Sequence, residues 1–473
     1  MLFQALLFTT ISGAALTHAQ ELPSVKLATG AECACTRLST EYGSSVLGSN
    51  STKYAAEAKE NWDVRANLLP KCIFFPKDAD EVADALSTFT DCGTQFAIRG
   101  GGHMNFPGSN NIDGGVLMAL SELTDIKVAD DKQSVDVGPG NRWVNVYEAL
   151  GPHGLYCIGG RLKTIGVPGL TLIGGFHYLI NKYGMTMDNV LSYDVALGNG
   201  TQVVANSVEN SELFWALKGG GSNFGVVTKF TIKTLPIPMI STTIQNFDEA
   251  AVEDFIKATV DITKYQSVDV AAGSVVSITY NVTTGTITPT LLGVQEGTES
   301  PPSSFANFSA ISIQFAHKSI KPDADQLYRI YQSWKVAVED VSDVEGLYPT
   351  FVMNVLLASA ASVAKNNGVG NTWGLDDDQP LILWQLATGW AKGTDDLRMT
   401  NWARSFVDYW HSENQAKDLA SEFIYMGDAG EFQDPFPGFP LENVRRLRNV
   451  REEYDSAGVF RRLNWGGFKL GSN

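Results

Sequence analysis

Positive charge is the first thing this sequence is short of: 35 Lys and Arg stand against 52 Asp and Glu, a net charge of −17. So acidic a chain is repelled by phosphate backbones and anionic bilayers, which argues against nucleic acid or a membrane surface as a partner. Histidine is also thin. Only six are present, and none falls in H-E-x-x-H or another metal-ligand spacing, so no metal centre is expected. Beyond the N-terminus there is no run long and apolar enough for a transmembrane helix. Neither G-x-G-x-x-G after a strand nor G-x-x-x-x-G-K-[ST] occurs; Gly219 and Gly221 begin the first pattern, but position 224 is Phe. A doubly wound dinucleotide site and a nucleotide-hydrolysing loop are therefore not expected.

Cysteine is sparse, with five in all. Cys33, Cys35, Cys72 and Cys92 cluster early, as disulfides tying an N-terminal arm would require. Cys72 and Cys92 should pair with Cys33 and Cys35, in a connectivity that spacing leaves open. Cys157 is left over and reads as a buried free thiol. Met1–Ala19 is apolar and closes on Thr17-His18-Ala19, resembling a signal peptide, though no Lys or Arg precedes its core. A disordered or membrane-anchoring N-terminus is the plainer alternative. Sequons at Asn50, Asn199, Asn281 and Asn307 agree with passage through a secretory lumen.

What the sequence has is length and glycine. At 473 residues it exceeds the roughly 250–300 at which one core stops growing, so two domains are expected. The spacing predicts a helix over 78–92, a strand over 94–99, strands over 116–120 and 134–137, and a helix over 142–150. A hairpin over 190–204 turns at Asn199-Gly200, and a helix over 211–217 precedes a strand over 226–232. Short strands mixed with helices, without a regular βαβ rhythm, indicate α+β. From Pro236 onward the character changes. An aromatic-rich run from Phe305 to Trp334, including Phe315, and an alanine-rich helical stretch at 355–365 read as a second domain reaching about residue 425. The arginines at 445, 446, 448 and 451 read as the solvated face of a helix.

Three glycine-rich loops carry the chemistry: Arg99-Gly-Gly-Gly-His103, Gly166–Gly175 and Lys218–Gly225. Consecutive glycines allow positive φ and close approach, and successive amides make a nest for an anion such as a pyrophosphate. A single loop of this kind is an ordinary turn; three within about 125 residues suggest a long phosphate-bearing ligand. With Tyr183-Gly, Asp188-Asn189-Val190 and Leu213–Thr228, these segments resemble the FAD-binding domain of the vanillyl-alcohol oxidase/PCMH superfamily, and within it the berberine-bridge-enzyme-like oxidases. The likeness covers roughly 65–235 and resumes at Gln433-Asp-Pro and Tyr454–Phe460, where it is similar to secreted or secondary-metabolic fungal members.

The resemblance implies a two-part FAD-binding domain over 61–236, after a leader at 1–19 and an arm at 20–60. A substrate domain over 237–425 would cover the flavin, with 426–473 returning to the first domain. It implies that Arg99, Gly100, Gly101 and Gly102 bind the pyrophosphate and that His103 is bonded to the flavin 8α-methyl. Gly166, Val167, Gly169, Gly174, Gly175, Gly221, Asn223, Phe224, Gly225 and Val227 would follow the rest of FAD. Leu162 stands where some relatives place a second, cysteinyl bond, so attachment through His103 alone is expected. Ile173 replaces a glycine common in relatives. Tyr425, Asp428 and His177 are candidate bases, Gly427-Asp428 standing where relatives often carry Asn-Tyr. The expected activity is a secreted FAD-linked oxidase that dehydrogenates an organic alcohol or related C–H, passes electrons to oxygen and tailors a fungal secondary metabolite. An oligosaccharide oxidase and a catalytically inactive flavin-binding protein are the alternatives. Most aromatics of the second domain, from Phe305 and Phe308 to Trp384 and Trp390, should be core, as large aromatics usually are; even a few in the pocket would favour a flat, hydrophobic substrate over a sugar.

Overall fold

The computed structural model describes residues 24–265, 271–309 and 319–471. The leader expected at 1–19 and the aromatic Phe315 lie outside the described residues.

Local signals in the chain set its first layer. Asp78 caps a helix by accepting the Glu81 amide at 2.9 Å, and Gly93 ends it at φ +61. That helix, Ala79–Cys92, buries Val82, Leu86 and Phe89. It crosses over from the strand Cys72–Phe74 to Phe96–Arg99, and both pair in parallel with Val116–Ala119. All four residues of Val116–Ala119 are buried, as befits a parallel strand covered on both faces. Val46–Gly48 completes this sheet as an antiparallel edge.

A second, antiparallel sheet orders Ile126–Val128, Ser134–Val137, Val226–Lys233, Val190–Ala196 and Gln202–Asn206. The expected hairpin forms, with Gly200 at φ +80 in its turn. A third antiparallel sheet orders Ile240–Asn246, Thr286–Glu296, Ala272–Asn281, Tyr348–Leu356 and Leu381–Gly389. The helices Val252–Tyr265, Ala324–Glu339 and Asp396–Ala416 supply the apolar side chains that pack with this sheet. The fold is α+β.

Several expectations change here. Phe305, Phe308, Tyr331, Trp334 and Trp384 are core of the third sheet, as expected for most of these aromatics, but none of the five lines the cavity described below, so they lend no support to a flat substrate. Trp390 bonds Asp396 at 2.7 Å through its indole N–H. The alanine-rich helix begins at Ala358, because Val355 and Leu356 still belong to a strand. The arginine helix, Leu441–Tyr454, is a solvated face only in part, at exposed Arg445. Arg446 forks onto Glu212 with both contacts at 2.7 Å and lies 4.0 Å over the Trp215 ring, while Arg451 is buried and donates to the Leu470 carbonyl at 2.7 Å.

The disulfides are Cys33–Cys92 and Cys35–Cys72, with Cys157 buried and free. They staple the N-terminal helix Ser24–Tyr42 to the first sheet and its helix. The C-terminal segment returns to the same sheet, where Phe96 donates to the Leu463 carbonyl at 2.9 Å and accepts from the Trp465 amide at 2.6 Å. No helix among the described residues is long and apolar enough to cross a membrane.

Candidate functional site

A cavity of about 300 Å³ opens where the first two sheets, the loop at 161–176 and the C-terminal segment converge. The strand Phe96–Arg99 delivers Gly100, Gly101, Gly102 and His103 into one wall, and Gly166, Pro168 and Gly169 form the wall beside it. Gly221, Gly225 and Val227 supply another, with Tyr425, Gly427 and Asp428 at one end and Asn464 and Gly467 along the returning tail.

The glycines divide into two kinds. A Cβ on Gly100 would sit 2.4 Å from Pro168, and one on Gly101 would sit 2.4 Å from the Gly166 nitrogen. These two are glycines because the neighbouring loop fills the space. Gly169 and Gly221 line the cavity differently. A Cβ on Gly169 would meet nothing within 4 Å, and one on Gly221 nothing nearer than 3.8 Å. They keep a smooth backbone wall beside open volume. Asn110, also in the wall, has a buried side-chain nitrogen with no partner among the described residues. A donor left so is costly unless a ligand acceptor meets it.

His103 stands in the wall as expected. Its Nε2 lies 2.9 Å from the Thr164 hydroxyl and its ring stacks on exposed Trp62 at 5.5 Å. Burial, with Arg142 nearby, holds its pKa below the usual value, so the ring is neutral at neutral pH. Arg99 turns away: its guanidinium is buried and pairs with Glu57 at 3.0 Å, anchoring the strand end. Val167 and Phe224 are core residues, and Gly174 and Gly175 pack under Trp373 and Thr186, so these four support the wall from behind. Asn223 is a tie, donating to the Gly220 and Phe468 carbonyls at 2.8 and 3.1 Å and accepting from the Leu470 amide at 3.2 Å.

At the Tyr425 end four polar side chains meet. Asn354 donates to Asp428 at 2.8 Å and accepts from Arg161 at 3.1 Å. Gln385, its amide nitrogen facing the carboxylate, donates to both Asp428 oxygens at 2.8 Å. Burial raises the Asp428 carboxyl to about 6, against the pull of Arg161 and the Asn354 hydrogen bond. Burial, then the Asp428 charge, drives the Tyr425 hydroxyl well above its ordinary value, while the Gly175 and Phe176 amides oppose the rise. His177 is not in the cavity wall. Its Nδ1 accepts the Leu179 amide at 3.2 Å, and burial lowers its pKa to about 4. Outside the cavity wall and with Nδ1 already engaged, His177 is less well placed than Asp428 to meet a substrate.

Arg161, Asn354, Gln385 and Asn110 do not stand out in the sequence reading above. Asn354 and Gln385 did leave a signal, each being a lone amide inside an apolar strand of the third sheet. No such signal marks Arg161.

The chain matches a family model described as an FAD-binding domain over residues 70–206. It is 32% identical to the FAD-dependent monooxygenase prx3 of Penicillium roqueforti, covering 92% of this chain and 93% of that one. It is 28% identical to the FAD-dependent monooxygenase drtC of Aspergillus calidoustus, covering 93% and 90%. Among solved structures it superposes on 6-hydroxy-D-nicotine oxidase of Arthrobacter nicotinovorans with a TM-score of 0.73 at 18% identity, covering 88% of this chain and 96% of that one. It also superposes on glucooligosaccharide oxidase of Acremonium strictum, a protein with a 6-S-cysteinyl, 8α-N1-histidyl FAD, with a TM-score of 0.73 at 17% identity, covering 91% and 97%.

Proposed function

Because this chain belongs to the FAD-dependent oxidoreductases to which its fungal relatives belong, we propose that it removes hydride and proton from a hydroxyl-bearing organic substrate, with Asp428 as the base. The observation that carries the reading is the Asp428 carboxyl in the cavity wall, oriented by two amides and raised to about 6. The wall fits FAD: Gly169 and Gly221 leave room along it, and the unpartnered Asn110 nitrogen is a donor for a phosphate or hydroxyl oxygen. Bound FAD supplies the hydride acceptor. Asp428, mostly ionised near neutral pH, accepts the substrate's hydroxyl proton, and Asn354 and Gln385 hold the carboxylate toward it. Tyr425 keeps its proton and acts as a wall and hydrogen-bond donor.

Attachment through His103 alone belongs to the same reading. Thr164 engages Nε2, leaving Nδ1 of a neutral ring for the flavin. Cys157 is fully buried outside the wall, its thiol pushed up to about 12, and the expected second position is occupied by Leu162. The disulfides, with Asn50, Asn199 and Asn281 all exposed, support a secreted or secretory-lumen glycoprotein; Asn307 is the fourth acceptor proposed.

The substrate proposed is an aromatic metabolite, with oxygen taking the electrons afterward; oligosaccharides are the second choice, on fold likeness. Phe176, Leu162 and Tyr425 at the substrate end support this order. Anaerobic mixing with a panel of aromatic alcohols and one of oligosaccharides tests it through bleaching of the flavin absorbance. Faster bleaching by the aromatic panel, slowed in Asp428→Asn, is expected. Bleaching by oligosaccharides alone would reverse the substrate order, and an unslowed Asp428→Asn would remove the base.

A further inference from the structure

The half-buried Arg161 has no carboxylate within ion-pair distance among the described residues. Two other arginines withdrawn from solvent do better: buried Arg99 pairs with Glu57 at 3.0 Å and part-buried Arg65 with Asp63 at 2.7 Å. Among the described residues the Arg161 guanidinium makes a single hydrogen bond, from one terminal nitrogen to the Asn354 oxygen at 3.1 Å. A guanidinium has five N–H donors, so most of its capacity is unspent. The group is nonetheless fixed, its carbon lying 5.7 Å from the Phe176 ring centroid and 5.8 Å from that of Tyr178. Its residue lines the cavity beside Phe176, Tyr425 and Asp428.

Asn354 explains why Arg161 and Asp428 do not simply neutralise each other. Its oxygen takes the guanidinium and its nitrogen serves the carboxylate, so cation and anion are kept one amide apart. Gln385 fills the remaining needs of Asp428 with a neutral donor. The carboxyl accordingly stays raised, as it would not beside a contacting arginine.

Resting on the oxidoreductase reading above, we propose that Arg161 is a specificity-determining residue, binding an anionic oxygen that the aromatic substrate carries close to the hydroxyl presented to Asp428. The chemical class is an aromatic hydroxy acid or an acidic enol. Both put an oxyanion where a fork of N–H donors can grip it and a flat ring beside Phe176 and Tyr425.

Calorimetric binding to the FAD-loaded protein tests this without turnover. The probes are mandelate (carboxylate), 4-hydroxycoumarin (acidic enol) and methyl mandelate, the neutral counterpart of the first. Wild type should hold at least one anionic probe roughly tenfold or more tighter than methyl mandelate, the size of one charge-assisted pair; which anion it holds identifies the source. Arg161→Met should erase that preference while shifting methyl mandelate less than twofold. Arg161→Lys should restore part of it, keeping the charge without the fork. Equal binding of charged and neutral probes by wild type overturns the proposal even if the variants fail to fold, as does no binding of either anion. Arg161→Met weakening all three probes alike overturns it too. If substrates still bleach the flavin in these cases, only Arg161's role falls. A retained anion preference without bleaching by any alcohol strikes the oxidase reading instead.

Discussion

In the proposed reaction, single side chains decide the proton chemistry. Asp428 differs from an ordinary surface aspartate because burial disfavours its charge while neutral amides hold it in place. The sign follows directly. The base form is the carboxylate, which exists above about pH 6. The anaerobic flavin-reduction rate should therefore fall as pH drops through about 6. Stopped-flow absorbance across that range checks it, and Asp428→Asn should be flat there and slower by about 10²–10⁴, the usual contribution of a general base. At His103 the expected outcome is chemical. Mass spectrometry of a digest should find FAD on the His103 peptide and none on the Cys157 peptide, and His103→Ala should release its flavin on denaturation. Flavin on Cys157 would refute the single attachment. The glycine run announced His103 in the sequence. Arg161 went unannounced because nothing in its neighbours' types fixes where its guanidinium points.

Among the elements, the contact between the 100–102 turn and the 165–168 loop is the most exacting. Gly101 and Gly166 meet backbone to backbone, and an added Cβ on either would lie 2.4 Å from a main-chain nitrogen. Backbone cannot rotate away as a side-chain tip does. Gly166→Ala should cost about 1–3 kcal/mol, the range for overpacking, and lower flavin content; thermal unfolding and the ratio of flavin to protein absorbance measure both. An unchanged unfolding temperature would show that the loops part freely. Gly166 was read as a cofactor-binding glycine. Its loop was legible, but the reason for the glycine was not, because a missing Cβ looks the same whether a ligand or another loop occupies its place.

For the whole molecule, the cavity is closed by a segment far along the chain. Asn464 and Gly467 line it, the Trp465 amide bonds Phe96, and Asn223 and Arg451 both hold Leu470. A chain ending at Leu463 should purify with little flavin, and flavin absorbance on the purified protein decides it; full retention would mean that the tail only covers a finished site. Sequence by itself determined what short-range rules govern: the helix capped by Asp78 and stopped by Gly93, the Asn199-Gly200 hairpin, the α+β class, the glycine loops and the surplus of Cys157. Those follow from local sterics and from which residues bury a face. Tertiary structure alone decided which cysteines pair, that none of the five buried aromatics of the third sheet reaches the cavity, that Arg99 serves Glu57, and that His177 lies outside the cavity wall. It also brought Asn354 and Gln385 to Asp428 across 74 residues in the first case. Such contacts depend on how sheets are laid against one another, and no periodicity along the chain encodes that.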